Sequence, residues 1–398
     1  MNKTKNNWRP RALIFLLSQS ATLFGSTLVQ MAIVWYVTLE TSSGGWVAAF
    51  TICCYLPQFL ISFLGGVWAD RYNRKVLIIG SDAMIAAVTL LLMISMPYIQ
   101  DSPSFFLVIL AVSAIRSLGA GIQTPAVNAV IPLLVPEEQL MRFNGINAAM
   151  QSAVQFAAPA ATGIILSLSS LQTSFLTDIV TALLGIGLLA GLRLPKQDRV
   201  KGTDSCFSDL SAGLRYAVSH RTIGRVLVIY GLFIFFTVPA GFLAQLLVSR
   251  VFGTTYWYLT AVELVGFAGM TAGGLIMGTW GGFSRRGKIL ALGLAAFGTL
   301  SMGMGLTQHF FIYLILMTLY GIAMTTVQTS VTTIIQEQAE GAVHGRVFGL
   351  MGSLYAGALP LGMAIFGPLA DAVPIQSLMV VSGVSLLLTA LTARSIST

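Results

Sequence analysis

The stretch GGVWADRYNRKV, residues 65–76, decides the fold. Only 9% of the chain is charged, yet Asp70, Arg71, Arg74 and Lys75 all fall within these twelve residues, between apolar runs. A second glycine-rich run ending in basic residues, MGTWGGFSRRGKI, occupies 277–289. The flanking apolar stretches exceed about 18 residues, long enough to cross a hydrocarbon core of about 30 Å as a helix. Hydrophobic residues make up 56% of the chain, and the mean hydropathy is +0.83. A water-soluble protein carries roughly a quarter charged residues. This chain cannot cover a water-facing surface, so the composition predicts a polytopic membrane protein.

Apolar blocks between polar breaks predict twelve spans, near 12–38, 45–69, 76–99, 104–131, 143–168, 173–194, 224–250, 257–280, 289–308, 310–335, 347–369 and 375–393. The N-terminus, MNKTKNNWRPRALIFLLSQS, opens like a signal peptide. Its apolar run continues to Tyr36 without a small-residue cleavage site, so it is read as an uncleaved first span. Connections after odd-numbered spans, such as ETSSGG and ADAVPI, are nearly free of Lys and Arg. Those after even-numbered spans, with the termini, hold twenty of the twenty-two basic residues. The exceptions are Arg250, at an outer end, and Arg116, inside the fourth span. The positive-inside rule then places both termini in the cytoplasm, with the opening stretch in the cytoplasmic loop between spans 2 and 3. The net charge of +8 is thereby topological and no footprint of nucleic acid.

The chain divides into two halves, 1–194 and 224–398, joined by a cytoplasmic linker at 195–223. Within the linker Phe207, Leu210, Leu214 and Val218 fall on one face of a possible interfacial helix, the alternative being a solvated connection. A repeat supports the halves: Gly66, Trp68 and Arg74 recur as Gly278, Trp280 and Arg286, and Gln123-Thr124 recurs as Gln328-Thr329. Two six-helix halves of like topology make an all-α membrane fold of transporter type.

Some chemistry is excluded. Residues 282–289, GFSRRGKI, end in Ile289 where a phosphate-binding loop needs Ser or Thr, and they follow a membrane helix and not a strand, so no nucleotide is expected. Cys53 and Cys54 lie in an apolar run and Cys206 in a polar loop, which is neither a disulfide framework nor a metal site. His220, His309 and His344 sit in or beside loops without metal-binding spacing, so neither an enzyme nor a bound cofactor is expected.

Gly66, Asp70, Arg71, Arg74 and Lys75 reproduce a spacing that resembles the loop signature of the major facilitator superfamily. IRSLGAG at 115–121 resembles the family's intramembrane arginine motif. Gly145, Pro159 and Gly163 resemble its fifth-helix antiporter pattern, with Val154, Ala158 and Thr162 replacing three glycines. Within that superfamily the stretches 64–82 and 115–140 are most similar to bacterial macrolide-efflux proteins. The resemblance implies two pseudo-symmetric six-helix bundles in the bacterial inner membrane, functioning as a monomer. It implies proton-driven export of a bulky amphiphilic compound by alternating access. It also implies that Asp70 caps the helix beginning near HGRVFG, 344–349, as part of a cytoplasmic gate with Gly66, Arg71, Arg74, Lys75 and Asp82. The competing reading of that loop is a basic anchor without a gating role. A siderophore or lipid exporter remains an alternative function, and a nutrient importer another.

A charge at mid-bilayer costs about 2.5–3.5 kcal/mol on insertion scales. Arg116 is therefore a candidate for proton coupling or substrate orientation, or else one member of a structural ion pair. Asp178 and Glu263 are candidates for the coupled proton, or else solvated acids near the outer face. Asp82 is expected to pair with the basic loop. The helices that line the cavity in this family offer Gln30, Gln123, Tyr230, Phe233, Gln245, Tyr320, Met324 and Gln328. Apolar walls with a few amides suit a weakly polar ligand, although in any bundle such residues are also ordinary packing.

Overall fold

The computed structural model describes residues 8–99, 104–192, 215–216, 219–280, 286–339 and 344–394. Lipid offers no hydrogen-bond partner, so a crossing backbone must satisfy itself, and helices do so locally. The described chain is accordingly helical: α1 (Trp8–Thr41), α2 (Gly44–Arg71), α3 (Arg74–Ile99), α4 (Phe105–Leu134), α5 (Leu140–Leu168), α6 (Leu171–Gly191), α7 (Arg221–Gly241), α8 (Ala244–Val251), α9 (Tyr256–Trp280), α10 (Arg286–Leu306), α11 (Phe310–Gln338), α12 (His344–Ala372) and α13 (Ile375–Ala393). Among the described residues twelve segments are long and apolar enough to span a membrane. Large side chains such as Leu91, Leu183 and Leu388 stay exposed on helix flanks, as a lipid-facing surface allows.

The seventh span was expected as one continuous helix, and the structure breaks it. Pro239 lacks an N–H, so α7 loses a rung near its end, and the backbone N–H groups of both Phe242 and Leu243 turn to the Val238 carbonyl. The helix resumes as α8. The interfacial helix expected over Phe207–Val218 lies outside the described residues, apart from Arg215 and Tyr216.

The chain packs as two compact units. One comprises Met1–Tyr36 with Cys53–Gly202, and the other comprises Val37–Ile52 with Thr203–Thr398. The boundary is not the linker alone: the C-terminal end of α1 and the first turns of α2 pack with the later helices.

In the first unit the opening stretch ties helix ends together. Arg74, at the start of α3, donates from Nε to the Ala69 carbonyl of α2 (2.8 Å) and from Nη1 to the Ala129 carbonyl of α4 (2.6 Å). Lys75 donates from Nζ to the carbonyls of Ala190 (2.7 Å) and Leu192 (2.9 Å) at the end of α6. Helix C-termini leave carbonyls unpaired and carry partial negative charge, so cations stabilise them. Beneath these caps lies an apolar cluster including Phe15, Ile78, Val130 and Leu189. Of the two glycines that open the stretch, Gly65 permits close helix approach: a Cβ on it would lie 2.6 Å from the Gly121 carbonyl oxygen, whereas one on Gly66 would meet open space. The repeat behaves alike in the second unit, where Arg286 at the start of α10 pairs with Glu337 at the end of α11 (3.0 Å).

A lysine at position 74 cannot hold two carbonyls with a planar fork. Arg74→Lys should therefore lower the unfolding midpoint in detergent by several degrees, while Arg71→Lys, at an exposed residue of the same loop, should leave it unchanged. Equal shifts would contradict the capping role.

Candidate functional site

The segment IRSLGAG of α4 faces three helices and positions the charged centre of the first unit. Arg116 donates from Nη1 to Asp178 Oδ2 of α6 (2.5 Å) and to the hydroxyl of Thr89 on α3. Thr89 in turn donates to the Ile85 carbonyl (2.8 Å) and lies 3.3 Å from Asp178 Oδ2. Arg116 and Asp178 are both buried, so the solvated-vestibule reading of Asp178 is excluded. Asp178 Oδ1 is enclosed without a hydrogen-bond partner. Ser117, the next residue, reaches α2 beside Pro57. Its Oγ donates to the Cys54 carbonyl (2.7 Å) and accepts from the Gln58 N–H (2.9 Å), replacing a helical rung with a side chain.

One step along the same two helices is a second rung. Asp82 on α3 and Gln123 on α4 meet through Nε2 to Oδ1 at 2.6 Å. Asp82 was expected to pair with the basic loop, and the structure corrects this. It is 1% exposed, and its recorded partner is the amide, while Arg74 and Lys75 are turned to helix-end carbonyls. Thr89 follows Asp82, and Gln123 follows Arg116, by the same seven-residue step. On antiparallel helices that spacing stacks the two rungs about 10 Å apart. Between them Ile85 rests on Gly119, where a Cβ would come within 2.7 Å of the isoleucine Cγ1.

In the second unit Gln245 donates to Glu263 Oε1 (2.6 Å), a carboxyl–amide pair like that of Asp82. Phe233 and Tyr320 are buried. Both pack in the core against Phe297, with ring centroids 4.9 and 4.1 Å away, and Tyr230 is buried as well. Gln30, Met324 and Gln328 are half-buried. In α5, Pro159 and Gly163 are buried, and Thr162 uses its hydroxyl on the Ala158 carbonyl (2.8 Å). The side chain of Asp70 lies outside the described residues.

The second unit also holds a site that the sequence reading missed. Asp371, at the end of α12, accepts from the N–H groups of Gly44 (2.7 Å) and Gly45 (2.9 Å) and from the Ser43 hydroxyl (2.8 Å). It therefore caps the first turn of α2 with a full negative charge. Arg250, at the end of α8, donates to Asp371 Oδ1 (2.8 Å), to the Ala370 carbonyl (2.6 Å) and to the Ser42 carbonyl. Ser42 takes a left-handed φ of 46°. Below the carboxylate α2 and α12 touch backbone to backbone, since a Cβ on Gly44 would lie 2.3 Å from the Gly367 oxygen. The signal was present: Arg250 is a cation at an otherwise cation-poor end, and Asp371 is an acid in the short ADAVPI connection.

Comparison with known proteins supplies the family. Residues 15–363 match the model described as Major Facilitator Superfamily. The chain is 29% identical over 382 residues to Macrolide efflux protein A of Streptococcus pyogenes, covering 95% of this chain and 94% of that protein. It is 25% identical to the multidrug efflux pump Tap of Mycobacterium tuberculosis, covering 98% of this chain and 94% of the pump. Among solved structures the nucleoside transporter NupG superposes with a TM-score of 0.72 at 12% identity, covering 98% of this chain and 100% of that one.

Two measurements check this geometry. Removing one member of a buried ion pair costs about 3–5 kcal/mol, whereas replacing both members with apolar residues is often neutral. Arg116→Met should therefore strongly destabilise the protein in detergent, and Asp178→Leu added to it should restore most of the loss; a double variant no better than the single would refute the pairing. For the Asp371 cluster, Asp371→Ala should speed hydrogen exchange of the Gly44 and Gly45 amides about tenfold or more, since charge-assisted bonds are each worth about 1.5–3 kcal/mol. Unchanged exchange would show that the carboxylate does not hold the turn.

Proposed function

The chain belongs to the Major Facilitator Superfamily, and we propose that it exports bulky, amphiphilic, macrolide-like compounds across the bacterial cytoplasmic membrane in exchange for protons, with both termini on the cytoplasmic side. The observation that carries this reading is the set of ionisable groups inside the spans, Arg116, Asp178, Asp82 and Glu263, in a chain related along its length to macrolide and multidrug efflux proteins. Ionisable groups at that depth are costly, and in transporters they mark ion pathways. Among the described residues Asp82 and Glu263 are held by amides and form no ion pair, so the spans contain carboxyls whose charge a proton can cancel.

The relatives support the substrate class. Helices that are mostly apolar with scattered amides and methionines suit a large weakly polar molecule better than a sugar. Methionine adapts to varied shapes. The energetics are adequate. One charge moving through about 100 mV releases about 2.3 kcal/mol, which supports roughly 40-fold accumulation at about 1.4 kcal/mol per factor of ten.

Everted membrane vesicles test the proposal. Acidifying the vesicle lumen should drive uptake of a labelled macrolide, and a protonophore should abolish the accumulation. Accumulation that survives the protonophore would overturn proton coupling. Protein-dependent uptake of a siderophore or a lipid with none of a macrolide would overturn the substrate class.

A further inference from the structure

Asp82 is a carboxyl without a counter-ion in a place where a carboxylate needs one. It lies eight residues inside α3, about 12 Å from the helix start, and it is 1% exposed. Its Oδ1 accepts from Gln123, while its Oδ2 is buried with no hydrogen-bond partner. Among the described residues no cation forms an ion pair with it. Its surroundings can be named helix by helix. On its own helix Arg74 and Lys75 are engaged with helix-end carbonyls. From α4 it faces Gln123, with Arg116 one rung away. From α6 the charged group is Asp178, which is already joined to Arg116. Asp178 thus has its cation, and Asp82 has a neutral amide and an empty oxygen.

We propose that the Asp82–Gln123 rung is the site that takes up and releases the transported proton, while the Arg116–Asp178 rung remains a fixed pair that orders the helices. This rests on the proton-driven reading above. The chemistry is a simple transfer. A proton from water binds a lone pair of Oδ2 and forms one O–H bond. On release that bond breaks, the electron pair stays on the oxygen, and the proton returns to water. Gln123 suits both states. Its Nε2–H donates to the carboxylate, and after rotation of the amide its Oε1 accepts from the acid. Gln123 is half-buried where Asp82 is enclosed, so the amide is the more accessible member of the rung. Ile85 packed on Gly119 puts apolar atoms between this rung and the arginine pair. The Glu263–Gln245 pair is the other carboxyl–amide contact, but Glu263 is only half-buried, and the orphaned oxygen there is on the amide.

Two readouts test the assignment on the full-length protein in lipid. Infrared difference spectra taken across a pH titration should show a protonated-carboxyl band that Asp82→Asn removes and Asp178→Asn retains. In everted vesicles Asp82→Asn should bind a labelled macrolide and exchange it down its gradient, yet lose at least tenfold in gradient-driven accumulation. Asp82→Glu should recover part of that loss. Gln123→Leu keeps the carboxyl and provides a variant that does not depend on folding without it; the band's titration midpoint should move by about one pH unit or more. An Asp82→Asn protein that keeps both the band and the accumulation would overturn the proposal, as would an unmoved midpoint in Gln123→Leu. If wild-type accumulation proves indifferent to a protonophore, the proton-driven function fails instead, and the infrared band still reports whether Asp82 binds a proton.

Discussion

The guanidinium of Arg116 against the carboxylate of Asp178 is the contact on which the first unit depends. Neither charge could be held alone at that depth, because hydrocarbon returns nothing for the lost hydration. Each therefore dictates where the other helix must lie. Thr89 joins the pair from α3, so one ionic contact sets α3, α4 and α6 in register. Ser117 then joins the same segment of α4 to α2 beside Pro57. Four helices are keyed to a stretch of seven residues.

Helix ends pose the complementary problem. Each terminus leaves backbone groups that lipid cannot satisfy, and the chain meets them with charged side chains borrowed from other helices. Arg74 and Lys75 cap C-terminal carbonyls in the first unit, and Asp371 caps N-terminal amides in the second. The loop that opened the reading thus has a structural task in addition to any part in gating. Two of its four charges, Arg74 and Lys75, answer carbonyls towards the ends of α2, α4 and α6.

Much of this was legible in the residues. The twelve crossings, the alternation of basic and uncharged connections and the internal repeat are visible because bilayer insertion is decided segment by segment, from local hydropathy and flanking charge. Arg116 and Asp178 stood out singly for the same reason, as charges in apolar surroundings. Their pairing did not, since they are 62 positions apart and nothing local couples them. Asp82 misled because nearness in sequence to a basic loop suggested a partner that the helix geometry turns away. Phe233 and Tyr320 stayed open because an aromatic residue on a cavity-type helix has two faces to choose from, and only packing against Phe297 decides.

By itself the sequence determined how many times the chain crosses the membrane, which helix ends carry cations and that the two halves repeat. These are properties of one segment at a time, and their free energies accumulate along the chain without reference to its neighbours. Only the tertiary structure decided that Asp82 meets an amide and Asp178 a guanidinium, and that Arg250 finds Asp371 across 121 positions. Those choices depend on how far each helix is rotated about its own axis. That rotation is set by where a missing side chain, as at Gly119 or Gly44, lets two backbones come close.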